Sequence, residues 1–497
     1  MKRLLLVGCL SCLLLLTLSA CSRSTEASEN DNIVYGQVVK TDENQITIES
    51  GDYTYGGSFE GDGCEKSYNL PENVFYDDFK AGDIVSILCD GRDATAVANV
   101  KDVNHRRSSG SGSDPGSENS GSDVASGFGQ AVLTGADAAQ LSADDEPVAV
   151  NDDNYEVQED GQIGILALNS GGKITMRRSS VAVMGRNSCG ITAANGASID
   201  GEQVNLSTSG ENAAAAATLD LTSVIDLSDS TMETAASGSP CVISAGNISL
   251  TGVSATVQKS SGVAVLPGGV VNLKNSSMVS HGDAAVKLCN IPDLQDDREA
   301  DTESGSRSSG SSEGQDSGIE KAFSSSTQSG KAKFMADGSS IEAVSNKALV
   351  QVTGIEGFVK MMNTDLASAN RVLADVRADE QKNGGKLLLY GVNQKYSGDI
   401  TCDKSSKVKL VLTEGSSYSG AFDAKGAAAY SKVYLSRNSA WNVTGDSHID
   451  SLRNGDKKCR NIKSNGHTVY YDKNREANEW LGGKTLSLPG GGTLQPE

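Results

Sequence analysis

From about residue 161 the chain repeats itself loosely, with a period of about 22 to 26 residues. Each unit holds two or three short runs in which apolar and polar residues alternate, separated by Gly, Asn, Asp or Ser. One set of runs lies at 190–193, 241–244, 263–266, 285–288 and 348–351. A second lies at 173–176, 247–250, 271–274 and 358–361. A third follows a small polar corner, at 179–183, 254–257 and 275–278. Three short strands per unit of this length are the pattern of a right-handed parallel β-helix. One coil cannot bury its inner face alone, so coils must stack and share a narrow core. A β-sandwich or propeller would need longer strands and a more aromatic core, whereas aromatics here are only 5% of residues. The spacing predicts about ten to twelve coils stacked about 4.8 Å apart.

The segment from Tyr396 to the end carries Ser397-Gly398-Asp399-Ile400, Val408-Lys409-Leu410-Val411-Leu412, Trp441-Asn442-Val443-Thr444-Gly445-Asp446-Ser447, Asn461-Ile462-Lys463-Ser464-Asn465-Gly466-His467 and Trp480-Leu481-Gly482-Gly483-Lys484. It resembles the C-terminal coils of secreted bacterial β-helix proteins of the pectate-lyase-like superfamily. The resemblance implies that larger coils and aromatics close the helix here, with Trp441 and Trp480 as capping core residues; the alternative for them is a sugar-stacking platform. It speaks to fold alone, because that superfamily hosts enzymes and binding proteins alike.

Ahead of the repeat the chain divides by composition. Met1-Lys2-Arg3 is a short basic start, and 4–18 is an apolar run too short for a membrane span. Residues 1–20 therefore read as a signal peptide. Leu18-Ser19-Ala20-Cys21 resembles the lipobox of bacterial lipoproteins, which implies cleavage before Cys21 and lipid attachment to it. Residues 21–32 are then a lipidated tether. Residues 33–104 carry strand-like runs at 33–39, 45–48, 84–88 and 96–100, with turn chemistry at Asp42-Glu43-Asn44. They predict a small five-strand barrel of OB-like type, similar to the small β-domains that often follow a lipobox. Its plainest role is a structural base. Residues 105–128 are a Ser/Gly-rich linker that cannot bury enough apolar surface to fold. The expectation for 129–497 is the β-helix, with an acidic disordered insertion at about 292–330.

Chemistry is harder to find than architecture. The formal net charge is −21, which argues against nucleic acid as a partner. Polygalacturonase-like hydrolases on related folds need paired carboxylates for acid and base. Asn363-Thr364-Asp365 and Gln295-Asp296-Asp297 echo their motifs, but in reversed order and without Gly-His-Gly. Asn363-Thr364-Asp365 also matches the repeat corner Asn275-Ser276-Ser277, so turn chemistry explains it. His105, His281, His448 and His467 have no second ligand at metal spacing. No EF-hand or glycine-nonapeptide calcium loop, Gly-x-Ser-x-Gly elbow or phosphate loop occurs. The expectation is no catalytic residue, no cofactor and no bound metal beyond weak surface calcium on the plentiful Asp and Glu.

Seven cysteines follow Cys21. Cys64 with Cys89, and Cys402 with Cys459, are the candidate disulfides, and the odd count leaves at least one thiol over. Cys189, Cys241 and Cys289 fall in different columns of the repeat and should act as small buried hydrophobes.

The functional expectation is a non-enzymatic cell-surface lipoprotein whose β-helix serves adhesion or carbohydrate binding. Its partners would be the membrane, through the lipid, and a polysaccharide or host surface protein. The alternatives are a polysaccharide lyase or glycoside hydrolase on the same scaffold, and a structural spacer without ligand. Exposed Tyr or Trp clustered on one face would favour binding, carboxylates clustered with a base would favour an enzyme, and neither would favour the spacer.

Overall fold

Short β-branched runs punctuated by Gly, Asn and Ser give an all-β chain, described in a computed structural model over residues 33–53, 59–71, 74–90, 92–100, 139–290 and 330–497. The signal peptide, Cys21 and its tether, the linker at 105–128 and residues 292–329 of the insertion lie outside the described residues. The chain divides into two units, one formed by 1–71 with 76–110 and the other by 72–75 with 111–497.

The first unit is a closed barrel of β1 (Ile33–Thr41), β2 (Gln45–Tyr53), β3 (Phe59–Asn69), β4 (Ile84–Asp90) and β5 (Asp93–Asn99), in the order β1-β2-β3-β5-β4. β1 pairs antiparallel with both β2 and β4, which closes the sheet on itself. β3 meets β5 in parallel at Asn69 and Asp93, as OB-type topology requires. Val38, Ile46, Ile48, Val85 and Ile87 fill the interior. At the first hairpin the Asn44 amide donates to Asp42 Oδ1 at 3.0 Å. β3 carries Phe59-Glu60-Gly61-Asp62-Gly63-Cys64-Glu65-Lys66-Ser67-Tyr68-Asn69, with too few apolar residues to announce a strand. Its pairing with β2 makes it one.

The second unit is a parallel β-helix of about 14 turns, more than the ten to twelve expected. The coil that opens with Ala139–Asp144, Pro147–Asn151 and Asn154–Val157 precedes the point where the repeat becomes legible. The three predicted sets of runs become three sheets. We call them sheet I, of ten strands from Ala139–Asp144 to Asp399–Cys402, sheet II, of twelve from Pro147–Asn151 to Ser451–Asn454, and sheet III, of eight from Asn154–Val157 to Asp365–Ser368. Two four-stranded sheets complete the C-terminal coils.

Register is kept from coil to coil, so like stacks on like. In sheet II the inward column runs Val148, Ile174, Ile199, Ile225, Ile248 and Val271, and then Phe334, Val359, Leu389 and Leu410. The pairing passes straight over residues 291–329: Val271 lies beside Phe334, Met278 beside Ile341 and Val286 beside Val350. The insertion therefore costs the helix no coil.

Corners are held by left-handed residues and small hydroxyls. Asn275 and Asn363 sit at φ 49° and 48° at equivalent places, which identifies Asn363-Thr364-Asp365 as a corner. In the same corner Ser276 Oγ accepts the Val253 amide of the previous coil at 3.0 Å and donates to Lys274 O at 2.9 Å. One hydroxyl thus links two coils where strand pairing lapses.

At the C-terminal end Trp441 is fully buried, stacked on Tyr418 at 5.9 Å and edge-on to Phe422 at 6.3 Å. Its Nε1 donates to Gly420 O at 3.0 Å. Trp480, on the 3-10 helix Glu476–Leu481, is half-buried against the core and donates to Leu452 O at 3.1 Å. Both are packing residues, as the resemblance implied.

Neither candidate disulfide is formed. Cys64 is an exposed free thiol on β3, separated by β5 from the strand that carries Cys89. Cys402 ends a strand of sheet I and Cys459 sits in a left-handed corner after sheet II, so the two buried thiols occupy different corners of the coil. Cys189, Cys241 and Cys289 are buried thiols that share no column, as their spacing predicted.

Candidate functional site

Two concave regions of the β-helix could receive a ligand. The first runs along the side of sheet III. Parallel register sets outward residues in rows along the stack: Ala182, Ser207, Glu233 and Thr256 form one, each paired to the next. The corner that follows each strand contributes Met184, Ser209, Ala235 and Gln258. Between the rows lies a groove of about 430 Å³. Met184 is 46% exposed, an apolar contact point in an otherwise polar lining.

Beside this groove a second outward row runs Asn154, Ser180, Asn205, Thr231, Ser254, Ser277 and Ser340 in unbroken register. Some of its members already bond to each other: Thr231 Oγ1 donates to Asn205 Oδ1 at 2.7 Å, and Ser277 Oγ to Ser254 Oγ at 3.3 Å. A hydroxyl used once as donor keeps lone pairs free to accept. The result is a line of uncharged donors and acceptors repeated once per coil, with Glu233 bringing the one carboxylate of the groove lining.

The second concavity, of about 270 Å³, lies in the C-terminal coils and is lined by Asp423, His448, Asp450, Asp472 and Glu497, among others. Its charged groups are tied to the fold. Asp423 accepts the amides of Ala427 and Ala428 at 3.0 and 2.9 Å. Asp450 accepts the Ser431 amide at 2.7 Å and faces Arg475 at 3.4 Å. Arg475 also pairs with Asp472 at 3.2 Å. His448 stacks on Tyr470 at 4.6 Å and meets Glu497 at 3.1 Å.

Sequence reasoning anticipated neither concavity, because both are assembled from residues one coil apart. In the sequence His448 lacks a second ligand at metal spacing and gives no other signal; His467 faces Asp446 at 3.7 Å and is not part of the cleft lining. His105 and Gln295-Asp296-Asp297 fall outside the described residues. Among the described residues no group of three or more His, Cys, Asp or Glu is arranged to hold a metal, and no helix is long and apolar enough to cross a membrane. The large apolar side chains exposed among them are Val39, Leu88, Met184, Leu221 and Val344, with no aromatic. The structure therefore lacks, in those residues, an exposed Tyr or Trp cluster of the kind expected for a sugar-stacking face.

Buried thiols do not add a nucleophile. Burial pushes Cys189 and Cys241 up to about 12, so both stay protonated and inert at neutral pH. No protein-family model matches the chain, and no curated protein matches it.

Proposed function

We propose that this protein is a non-enzymatic surface lipoprotein, held by a lipid on Cys21, that uses the side of its β-helix for adhesion or carbohydrate binding. The observation that carries the reading is the groove beside sheet III with its row of uncharged hydroxyl and amide side chains, one per coil. A polar chain lying along the stack would meet the same donors and acceptors at each step of about 4.8 Å. Met184, Ala182 and Ala235 supply apolar contact for the less polar side of a sugar ring.

Two experiments test this. Glycan-array binding by the protein from Ser22 onward, with and without calcium, should give saturable binding that Ser207→Arg abolishes, and no product release. Separately, Cys21→Ser should move the protein from the membrane fraction to the soluble fraction; unchanged fractionation removes the lipid anchor from the reading.

A second reading is a polysaccharide lyase or hydrolase. The clustered carboxylates beside Arg475 and His448 in the C-terminal cleft favour it. Against it, each of Asp423, Asp450, Asp472 and Glu497 already has a partner within the fold. New reducing ends or unsaturated products in the same assay would establish it. No signal in either channel would leave the spacer.

A further inference from the structure

The small barrel is not uniformly polar on its outside. On β1 Val38 turns inward with Ile46, Ile48, Val85 and Ile87, so alternation puts Ile33, Tyr35 and Gln37 on the outer face. Antiparallel register sets Leu88 of β4 opposite Ile33, and Ser86 opposite Tyr35. Tyr53 of β2 stacks on Tyr35, with ring centroids 5.8 Å apart and planes at 22°. Phe59 of β3 lies opposite Tyr53. Leu88, Ile33, Tyr35, Tyr53 and Phe59 therefore form one apolar and aromatic stripe across four neighbouring strands, β4, β1, β2 and β3. Leu88 is 43% exposed and the other four are half-buried.

The same outer face turns polar further along β1, where Gln37 pairs with Glu49 and Glu49 with Glu65. The stripe is thus confined to the end of the barrel at which the chain enters, since Ile33 is the first residue of β1. The barrel interior is filled without it, so the stripe serves contact with something outside the barrel.

We propose that this stripe rests on a lipid bilayer and orients the barrel against it, an inference that builds on the lipid-anchored reading above. Ile33 belongs to the stripe and is also where the tether ends. Only residues 22–32 separate it from Cys21, and even fully extended they span at most about 40 Å. A lipid on Cys21 therefore keeps the stripe at high local concentration beside the bilayer, where weak contact is enough. The side chains suit that boundary. A tyrosine ring sits among the headgroups with its hydroxyl in water, while Leu, Ile and Phe add buried apolar area. None of the five is charged and the chain carries −21, so apolar contact holds the face down, not attraction to anionic lipid. A sugar fits less well. Stacking of Tyr35 on Tyr53 takes up one face of each ring and leaves less flat surface for a pyranose to cover.

The test supplies a tether without the lipid, so its outcome does not depend on Cys21. The protein from Ser22 onward, with an N-terminal polyhistidine tag, is held on phosphatidylcholine vesicles through a nickel-chelating lipid. A benzophenone photo-crosslinker stands at position 88, or at position 65 on the polar half of the same face. Mass spectrometry after illumination should find lipid adducts at 88 that exceed those at 65 by about fivefold or more. Y35S/Y53S/F59S should lower the adducts at 88 by a similar factor, and added salt should leave them unchanged. Because the triple variant could fail to fold, the comparison of 88 with 65 is made in the otherwise native chain. Tethered protein without lipid adducts at 88, or with equal adducts at both positions, would overturn the proposal. The lipid anchor would still stand or fall separately, by fractionation of Cys21→Ser. Saturable glycan binding lost in the triple variant, with no lipid adducts at 88, would overturn the proposal in favour of a sugar site.

Discussion

Single side chains decide how coils meet. Ser276 links the Val253 amide to the Lys274 carbonyl, so Ser276→Ala orphans a buried donor and should lower stability by about 1–3 kcal/mol, read by urea unfolding. Asn363 at φ 48° shows why Asn-Thr-Asp here is a corner and not a catalytic motif: the left-handed backbone, not the carboxylate, is what the position needs. The buried thiols make a second prediction. Cys189 and Cys241 hold their protons up to about 12 when folded, against 9.0 ordinarily. Between those values the folded chain binds more protons than the unfolded one, so stability falls as pH rises through that window. C189A/C241A should flatten the decline between pH 9 and 12 in unfolding titrations. A decline unchanged by the double variant would assign it to other groups.

Elements stack by register, so whole coils should be removable and fractions of coils should not. Asn247 pairs with Val270, which makes 247–269 one complete coil. Deleting 247–269 should leave a cooperatively unfolding β-helix with a lower denaturation midpoint. Deleting only 247–258 should abolish cooperative unfolding, because it puts strands of different sheets in line. At the C-terminal end the Trp441, Tyr418 and Phe422 cluster closes the core. Trp441→Ala should cost about 3–5 kcal/mol in urea unfolding, by emptying a site with no solvent access.

At the scale of the whole molecule, the proposed glycan binding should depend on net charge. With a charge of −21, uncharged glycans should bind more tightly than uronic-acid chains, and added salt should narrow the difference in a titration series. The three sets of short runs, read from sequence, each fall in one of sheets I, II and III, which hold further strands that the runs do not mark, because period and alternation are local and each coil repeats them. The small barrel was legible from four of its strands, while the polar β3 became a strand only by pairing with β2. The cysteine pairings were not legible, since spacing along the chain says nothing about which corner of a coil a thiol occupies. What the sequence determined by itself was the stacked β architecture, through a hydrophobic period that only parallel coils can bury. What only the tertiary structure decided was the concave surface: Ser207 and Glu233, or Asp423 and Asp450, become neighbours because one coil lies over the next, and no single stretch of chain contains that contact.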